Sequence, residues 1–254
     1  MTARDSGGAD GIVLNVGIHP TTFLKRSERP EHRRERRREV GICISGGGTR
    51  SLSAALGQLR GLRQMGWMEQ VHTISAVSGG CWAAALFTFL PETITYDDFL
   101  GAGAPPEALT WEGGEEPGSL SYLSPNSLGR VATSMGWEAF YDIYRQLRES
   151  GFRAWHELWR IFIGELVFKA YGLYHPDADQ SPTRWYARTC DQFKRTIAPY
   201  NPELHESDFY FARQPWPDLI MNGSMFYPDG VNALIPLVST SSHIGIRSLF
   251  ADEA

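Results

Sequence analysis

A serine flanked by small residues is the first feature of this sequence that could do chemistry. Ser78 lies in the stretch Ala76-Val77-Ser78-Gly79-Gly80, directly after an apolar run. On a tight turn from a strand to a helix such a serine is held exposed, and small neighbours let the backbone turn without a clash. The stretch is a relaxed form of the G-x-S-x-G pattern, because Ala76 stands where the pattern has glycine. It is typical of a nucleophile for acyl transfer, and also of an ordinary helix start.

Three consecutive glycines are the second such feature. Glycine has no side chain that could shield the backbone N–H groups of this loop. The helix that follows leaves its first N–H groups unpaired, and these groups favour negative charge. The loop therefore suits the oxyanion of an acyl transfer. A phosphate-binding loop is the competing interpretation, but a Walker loop would need lysine at Gly47 and a dinucleotide-binding loop would need glycine at Ser51. The candidate oxyanion and substrate-binding residues are Gly46, Gly47, Gly48, Thr49 and Arg50.

The elements that must position these two turns follow from the apolar spacing. Residues 40–44 and 72–77 are short apolar runs of the kind that buried parallel strands show. Apolar side chains recur at helical spacing over residues 51–65, and residues 79–90 form a small and apolar stretch that ends before Pro91. Two successive strand–turn–helix units predict an α/β fold with a parallel-rich central sheet and flanking helices.

The rest of the chain carries weaker signals. Residues 101–128 are rich in Gly, Pro, Ser and Glu and are expected to form a long surface excursion. Residues 129–174 return to helical spacing with many aromatic side chains, which predicts an additional helical layer that is interrupted near Gly151. A last apolar run, residues 219–221, predicts a core strand that leads toward a turn at Asp229-Gly230.

Composition restricts the class of protein. The chain has 254 residues, 42% of them hydrophobic, which is enough for one substantial core. Its net charge of −5 gives no support for nucleic-acid binding. The three cysteines are widely separated and form neither a disulfide framework nor a metal-binding spacing, so a reducing compartment and no metal are expected. Neither a secretory signal nor a run of ~20 apolar residues is present, and we therefore expect a cytoplasmic protein, soluble or peripheral to a membrane.

The start of the chain has a composition of its own. Residues 1–39 are expected to form a flexible basic leader before one domain over residues 40–254. Residues 25–39 are dominated by arginine interleaved with glutamate. This run is either a solvated linker or an electrostatic tether to anionic lipid head groups, where each basic residue near the surface adds about 1 kcal/mol. The interspersed acids favour the linker.

Together the two turns resemble a known family. Residues 45–51 (Ser-Gly-Gly-Gly-Thr-Arg-Ser), followed at short spacing by residues 75–82 (Ser-Ala-Val-Ser-Gly-Gly-Cys-Trp), resemble the patatin-like phospholipases in the style of the cytosolic phospholipase A2 branch. The resemblance implies a patatin-like α/β fold, a Ser–Asp dyad, no cofactor, and phospholipid or other lipid ester substrates. It further implies that Ser78 is the nucleophile, that Gly47 and Gly48 offer N–H donors, and that Arg50 helps to hold an anionic head group or the loop itself.

The general base is the part of the site with the weakest signal. The family places its aspartate in an Asp-Gly motif late in the chain, which here matches Asp229-Gly230. The surroundings of Asp229 also suit an ordinary turn. Residues 222–247 resemble a region that precedes the aspartate in family members. In that second interpretation the domain is incomplete at its C-terminus and the base lies beyond residue 254.

The expected function is a lipid acyl hydrolase, a phospholipase or esterase, that acts through Ser78 and Asp229. Two alternatives stay open. An α/β-hydrolase triad of Ser78, Asp229 and His243 would have the chain order of that fold, although His243 sits in a Ser/Thr-rich stretch with no signal for a loop after a strand. A non-catalytic patatin-like module would lack its base and bind lipid or a partner protein through the aromatic helical layer.

Overall fold

Two strand–turn–helix units begin the part of the chain that the structure describes. The structure, a computed structural model, describes residues 40–101, 107, 127–176, 184–213, 217–226, 234–240 and 244–245. Strand β1 (Val40–Ile44) leads to helix α1 (Thr49–Gln64), and strand β2 (Val71–Val77) leads to helix α2 (Gly79–Thr88). β1 and β2 pair in parallel. These units are the ones that the apolar spacing predicts, with boundaries that differ by one or two residues.

The central sheet continues with three strands from the end of the described chain. They are β5 (Asp218–Phe226), β6 (Leu234–Ser239) and β7 (Ile244–Gly245), and the strand order is β1-β2-β5-β6-β7. β5 pairs in parallel with β2, whereas β6 and β7 are antiparallel additions. The predicted α/β class with a parallel central part is confirmed, and the sheet is mixed at the β6–β7 side. The strand predicted over residues 219–221 is also confirmed, and it runs on through Asn222 and Gly223 to Phe226.

Strand β6 was not predicted from the sequence. Proline donates no hydrogen bond to a sheet ladder, so Pro236 disfavours a strand at this place in the sequence. Pro236 nevertheless lies in β6, opposite Ser224 of β5. β6 ends at Ser239 and β7 begins at Ile244, and His243 between them lies outside the described residues.

Helices pack beside the sheet as a further layer. They are α3 (Tyr96–Leu100), α4 (Leu128–Ser134), α5 (Trp137–Glu149) and α6 (Leu158–Ile163), and α6 runs on through a π-helical turn (Gly164–Phe168) and a 3₁₀ turn (Lys169–Tyr171). Gly151 has a φ of 77° and separates α5 from α6, which confirms the predicted interruption. Most of the predicted surface excursion, residues 102–106 and 108–126, lies outside the described residues, as does the leader 1–39. Within the described chain, no helix is long and apolar enough to cross a membrane.

A small second sheet has a core of its own. Strands β3 (Trp185–Ala187) and β4 (Phe209–Phe211) pair in parallel, and between them α7 (Cys190–Gln192) continues through a π-helical turn (Phe193–Ile197) and a 3₁₀ turn (Ala198–Tyr200). Further 3₁₀ turns lie at Met68–Gln70, Trp155–Glu157 and Glu206–Asp208. Buried Phe193, Ile197 and Phe209 pack together in this second core. The sequence analysis did not predict this unit.

The main core fixes the two turns side by side. Leu52 and Leu59 of α1, Ile74 of β2 and Phe87 of α2 are fully buried in one cluster. Each large side chain buried in this way contributes about 1.5–3 kcal/mol. Ile44 of β1 and Ala76 of β2 are buried near the ends of their strands. They lie opposite each other in the parallel pair, so the two strand ends are aligned. Both strands therefore end at the same edge of the sheet.

Candidate active site

Ser78 forms the turn from β2 to α2 and is exposed. Its backbone has a φ of 55° and a ψ of −129°. Among the described residues it is the only non-glycine with a positive φ. Such a conformation costs about 1–3 kcal/mol for a residue with a side chain. The hydroxyl group thus stands at the surface on a strained strand-to-helix turn, which is the geometry of a nucleophile elbow.

The glycine loop, residues 45–48, is the corresponding turn from β1 to α1. Gly47 has a φ of 152° and Gly48 a φ of 62°, which glycine adopts without the penalty that a Cβ atom brings. α1 begins at Thr49 with no acidic residue in its first turn and no side chain that caps its N-terminus. The first N–H groups of α1 are therefore open to an anion, and the helix dipole favours one.

The two turns touch through backbone atoms. A Cβ atom placed on Gly79 would overlap the carbonyl group of Gly48. One placed on Gly46 would lie 3.0 Å from the Ser78 Cβ and 3.6 Å from the Ser78 Oγ. Glycine at these positions lets the loop lie directly against the serine. The structure thus brings Ser78 together with the glycine loop, as the sequence analysis expected.

Two hydrogen bonds fix the shape of the glycine loop. The Ser51 hydroxyl donates to the carbonyl oxygen of Ser45, and the Leu52 N–H donates to the carbonyl oxygen of Gly48 at 3.1 Å. Gly80 closes the loop from the other side, because a Cβ atom on it would lie 2.8 Å from the Ser45 oxygen. The loop is therefore held both by its own helix and by α2.

Asn222 of β5 ties the neighbouring strand to the end of β2. Its Nδ2 atom donates to the Ser75 Oγ at 2.8 Å and to the Ala76 carbonyl oxygen at 3.0 Å. These bonds fix the two residues that precede the turn of Ser78 by two and three positions. The sequence analysis did not identify this residue, because its only local signal is a polar side chain at the end of the apolar run 219–221.

Cys81 lies in the first turn of α2, and its backbone N–H donates to the carbonyl oxygen of Ser78 at 2.8 Å. Burial raises the pKa of the Cys81 thiol above its usual range, while hydrogen bonds with the backbone of Asn222 and Ser78 oppose that shift. The thiol is therefore kept protonated at neutral pH, and a protonated thiol is a weak nucleophile. The Ser78 hydroxyl, by contrast, is exposed on this turn.

A hollow of about 340 Å³ opens beside the glycine loop. It is lined by Ile44, by the loop, and by Arg50, Ser51, Ala54 and Gln58 of α1. Ser78 is not one of its lining residues and lies against the same loop at Gly46. Arg50 is exposed in the first turn of α1, where a positive charge is unfavourable unless an anion compensates for it. The structure thus gathers the loop and Arg50 around one hollow, with Ser78 next to it.

Both predicted partners of Ser78, Asp229 and His243, lie outside the described residues. The described residues that flank Asp229 are Phe226 and Leu234, which pair with each other at the end of the β5–β6 hairpin. The base therefore stays a prediction for the dyad and for the triad. In the described part of the chain, no group of three His, Cys, Asp or Glu side chains is placed to hold a metal ion.

Similarity to known proteins is limited to part of the chain. No family model matches it. The chain is 33% identical over 100 residues to human cytosolic phospholipase A2 beta. That match covers 39% of this chain and 12% of the human protein, so the chain spans a small part of the length of this relative. The sequence match indicates a phospholipase A2-like relationship.

Two solved structures cover more of the chain at lower identity. One is human GIVD cytosolic phospholipase A2 in complex with methyl gamma-linolenyl fluorophosphonate inhibitor and terbium chloride, with 15% identity, a TM-score of 0.40, and coverage of 83% of this chain and 24% of that chain. The other is human GIVD cytosolic phospholipase A2, with 13% identity, a TM-score of 0.41, and coverage of 81% and 22%.

Proposed function

We propose that this chain is a lipid acyl hydrolase of the patatin-like type, with Ser78 as its nucleophile and the glycine loop as its oxyanion hole. The observation that carries the proposal is the contact between the two turns, where an exposed serine on a strained elbow lies against glycine backbone at a helix N-terminus. The sequence similarity to cytosolic phospholipase A2 beta supports a phospholipid or another lipid ester as substrate.

The reaction begins at the Ser78 hydroxyl. A base takes its proton while Oγ attacks the ester carbonyl carbon, and the carbonyl oxygen becomes the oxyanion of a tetrahedral intermediate. Collapse of this intermediate breaks the bond to the alcohol, which leaves with the proton from the base and gives an acyl-enzyme. Water then attacks the acyl group, gives a proton to the base and releases the fatty acid, while the Ser78 hydroxyl is restored.

The glycine loop supplies what the intermediate needs. Its backbone donors at Gly47 and Gly48 are fixed before the reaction by the Ser51 hydrogen bond and by packing against Gly79 and Gly80. The N-terminus of α1 adds its dipole, and the N–H of Thr49 lies in the same turn. Loss of one preorganised donor of this kind typically costs ~3 kcal/mol of transition-state stabilisation.

Arg50 is proposed to meet the anionic head group. It lies at the hollow beside the glycine loop, so a phosphate there would be within one helical turn of the oxyanion donors. An anion would also remove the unfavourable interaction between the Arg50 charge and the α1 dipole. The hollow is therefore the proposed place for the polar end of the substrate, and Ser78 for its ester.

Asp229 is the proposed base of a Ser–Asp dyad. The triad of Ser78, Asp229 and His243 is the rival mechanism, in the chain order of an α/β-hydrolase. His243→Gln separates the two, because a dyad would keep its rate and a triad would lose it. Asp229→Asn should abolish turnover in the dyad.

The proposal includes the domain organisation, the cellular location and the partners of the protein. Residues 40–254 would be the acyl-hydrolase domain and residues 1–39 a basic leader. The chain would act in the cytoplasm, peripherally on membranes that hold its substrate, with neither metal nor nucleic acid as a partner.

Covalent labelling of the full chain with a fluorophosphonate probe tests the nucleophile, since the probe reacts with an activated serine whatever the natural substrate. We expect one labelled residue, Ser78, identified by mass spectrometry, together with hydrolysis of a soluble short-chain ester. Ser78→Ala should lose both, and the exposed Ser53→Ala on α1 should lose neither. An unlabelled wild-type chain that does not hydrolyse the ester would overturn the proposal in favour of the non-catalytic binding module.

A further inference from the structure

The helical layer carries large aromatic side chains on its outside. Trp137 and Tyr141 of α5 are 79% and 57% exposed, and Trp159 of α6 is 59% exposed. Single exposed apolar residues are ordinary, but a contiguous patch marks an interaction site. These rings would mark such a site if they were connected to each other and to the candidate active site.

Ring contacts connect the exposed rings to the helix of Ser78, through buried Phe162 and partly buried Phe140. Trp82 lies one turn after Ser78 on α2 and contacts Trp159, with ring centroids 6.1 Å apart. From there the contacts run from Trp159 to Phe162 at 5.5 Å, from Phe162 to Phe140 at 4.8 Å, and from Phe140 to Trp137 at 5.4 Å. We name these five rings, with Tyr141, the aromatic belt. The belt extends from the first turn of α2 to exposed positions on α5 and α6.

The sequence of α5 places its two exposed rings, Trp137 and Tyr141, on one face. Trp137, Tyr141 and Arg148 are separated by four and seven residues, so they lie on the same side of the helix. Leu147 is the buried residue of α5 and points to a different side, toward the core. Trp137 and Tyr141 are therefore not part of the contact between α5 and the core.

The charges of this region do not favour a strongly charged partner. Residues 137–162 contain four arginines and four acidic residues, so their net charge is zero. Tryptophan and tyrosine combine an apolar body with a polar tip, and they are the residues that collect at the boundary between lipid and water. A neutral, ring-rich surface therefore fits an uncharged lipid interface better than it fits an anionic partner.

We infer that the aromatic belt docks this chain on a neutral lipid surface. The inference rests on the proposed function, because a lipid ester would then reach Ser78 from the surface that Trp82 borders. The rings of Trp137, Tyr141 and Trp159 would lie at the level of the head groups. This docking differs from the tether expected of the arginine run 25–39, which would need anionic lipid.

Flotation with phosphatidylcholine vesicles tests the belt. All variants carry Ser78→Ala, so that hydrolysis cannot change the vesicles. Trp137→Ala/Tyr141→Ala should weaken partitioning by at least about tenfold, since two exposed rings lose their contact with lipid. Trp159→Ala should weaken it several-fold. Trp67→Ala is the matched control, because Trp67 is 45% exposed just beyond the far end of α1 and should leave partitioning unchanged.

A readout in the active chain separates docking from catalysis. With Ser78 restored, Trp137→Ala/Tyr141→Ala should hydrolyse a soluble short-chain ester at the wild-type rate. Equal flotation of the double variant and its parent would overturn the inference, as would binding that appears only with anionic vesicles and is lost in high salt. Self-association that buries Trp137 without lipid would also overturn it. Vesicle binding without any ester hydrolysis would leave the belt intact and remove the proposed function.

Discussion

The turns after β1 and β2 have nearly the same backbone and different residues. The residue before the first helical position is Gly48 in one turn, with a φ of 62° and a ψ of −136°, and Ser78 in the other, with a φ of 55° and a ψ of −129°. Glycine takes this conformation freely, whereas serine takes it at a cost of about 1–3 kcal/mol. Strain is therefore kept only in the turn that presents a side chain, and the other turn presents backbone N–H groups.

The helices that follow the two turns also differ, in how much of their surface is buried. α1 buries one side, with Leu52, Ala55 and Leu59, and leaves its other side exposed. α2 is buried almost all round from Ala83 to Thr88. A helix packed on every side cannot shift easily, so Ser78 stands on the more rigid of the two units. The comparison predicts that substitutions act differently at equivalent places in the two turns.

The largest effect is expected where the turns touch. Gly46→Ala would place a methyl group 3.0 Å from the Ser78 Cβ without requiring a left-handed backbone. We expect ester hydrolysis to fall by at least about 100-fold, as it does when an oxyanion donor is lost, while circular dichroism stays unchanged. Gly41→Ala on β1, the strand that leads to the glycine loop, is the control, because its nearest contact would be Thr73 O at 3.9 Å. Equal rates in the two variants would mean that the contact does not matter for catalysis.

A second substitution breaks the packing of the two turns, and its expected effect is on stability. A Cβ atom on Gly79 would overlap the Gly48 carbonyl group, and backbone cannot move aside as a flexible side chain can. Gly79→Ala should therefore lower the free energy of unfolding by about 2–3 kcal/mol, as measured by urea denaturation. Gly57→Ala, which meets nothing within 4 Å in the middle of α1, should raise it slightly. A neutral Gly79→Ala would contradict the described contact.

A sequence predicts these turns well because their signals are local. A short apolar run, a glycine turn and a helical repeat lie within about thirty residues of each other, which is the length scale of one supersecondary unit. Pairings between distant residues leave no such mark. β3 and β4 have three residues each, too few to show a period, and they pair across more than twenty residues of chain. Pro236 hides β6 for a different reason, since proline disfavours a strand locally and its pairing with Ser224 is visible only when the sheet is assembled.

Asn222 is the clearest case of a site residue that only the fold reveals, and its removal gives the third expected effect. Asn222→Ala should cost about 1–2 kcal/mol of stability, because the partners Ser75 Oγ and Ala76 O lose a donor. We expect kcat to fall several-fold with KM unchanged, since Asn222 positions the strand before Ser78 and touches no substrate. A double-mutant cycle with Ser75→Ala measures the bond itself. Additive stability losses in that cycle would show that the two side chains are not coupled.

The smallest expected effect on stability comes from exchanging the residues of the two turns, which tests the comparison itself. Ser78→Gly relieves the strain at φ 55°, offset in part by the greater freedom of glycine in the unfolded chain, so the free energy of unfolding should rise by about 1 kcal/mol. Ester hydrolysis should disappear in the same variant. A protein that gains stability when it loses its serine has kept that residue for reasons other than folding.

Gly48→Ser is the reverse exchange, and no steric clash interferes with its measurement. A Cβ atom on Gly48 would meet nothing within 4 Å, so any loss of stability measures the backbone conformation alone. We expect the urea midpoint to fall by an amount similar to the rise in Ser78→Gly, with the denaturant dependence unchanged in both, since neither alters the surface exposed on unfolding. If Gly48→Ser is neutral, the conformation is not costly and the strain at Ser78 carries no functional meaning. If Ser78→Gly lowers stability, the serine side chain contributes packing that outweighs its strain. Opposite shifts of similar size would leave one explanation, that the same turn is built twice in this chain, once for its backbone and once for its hydroxyl group.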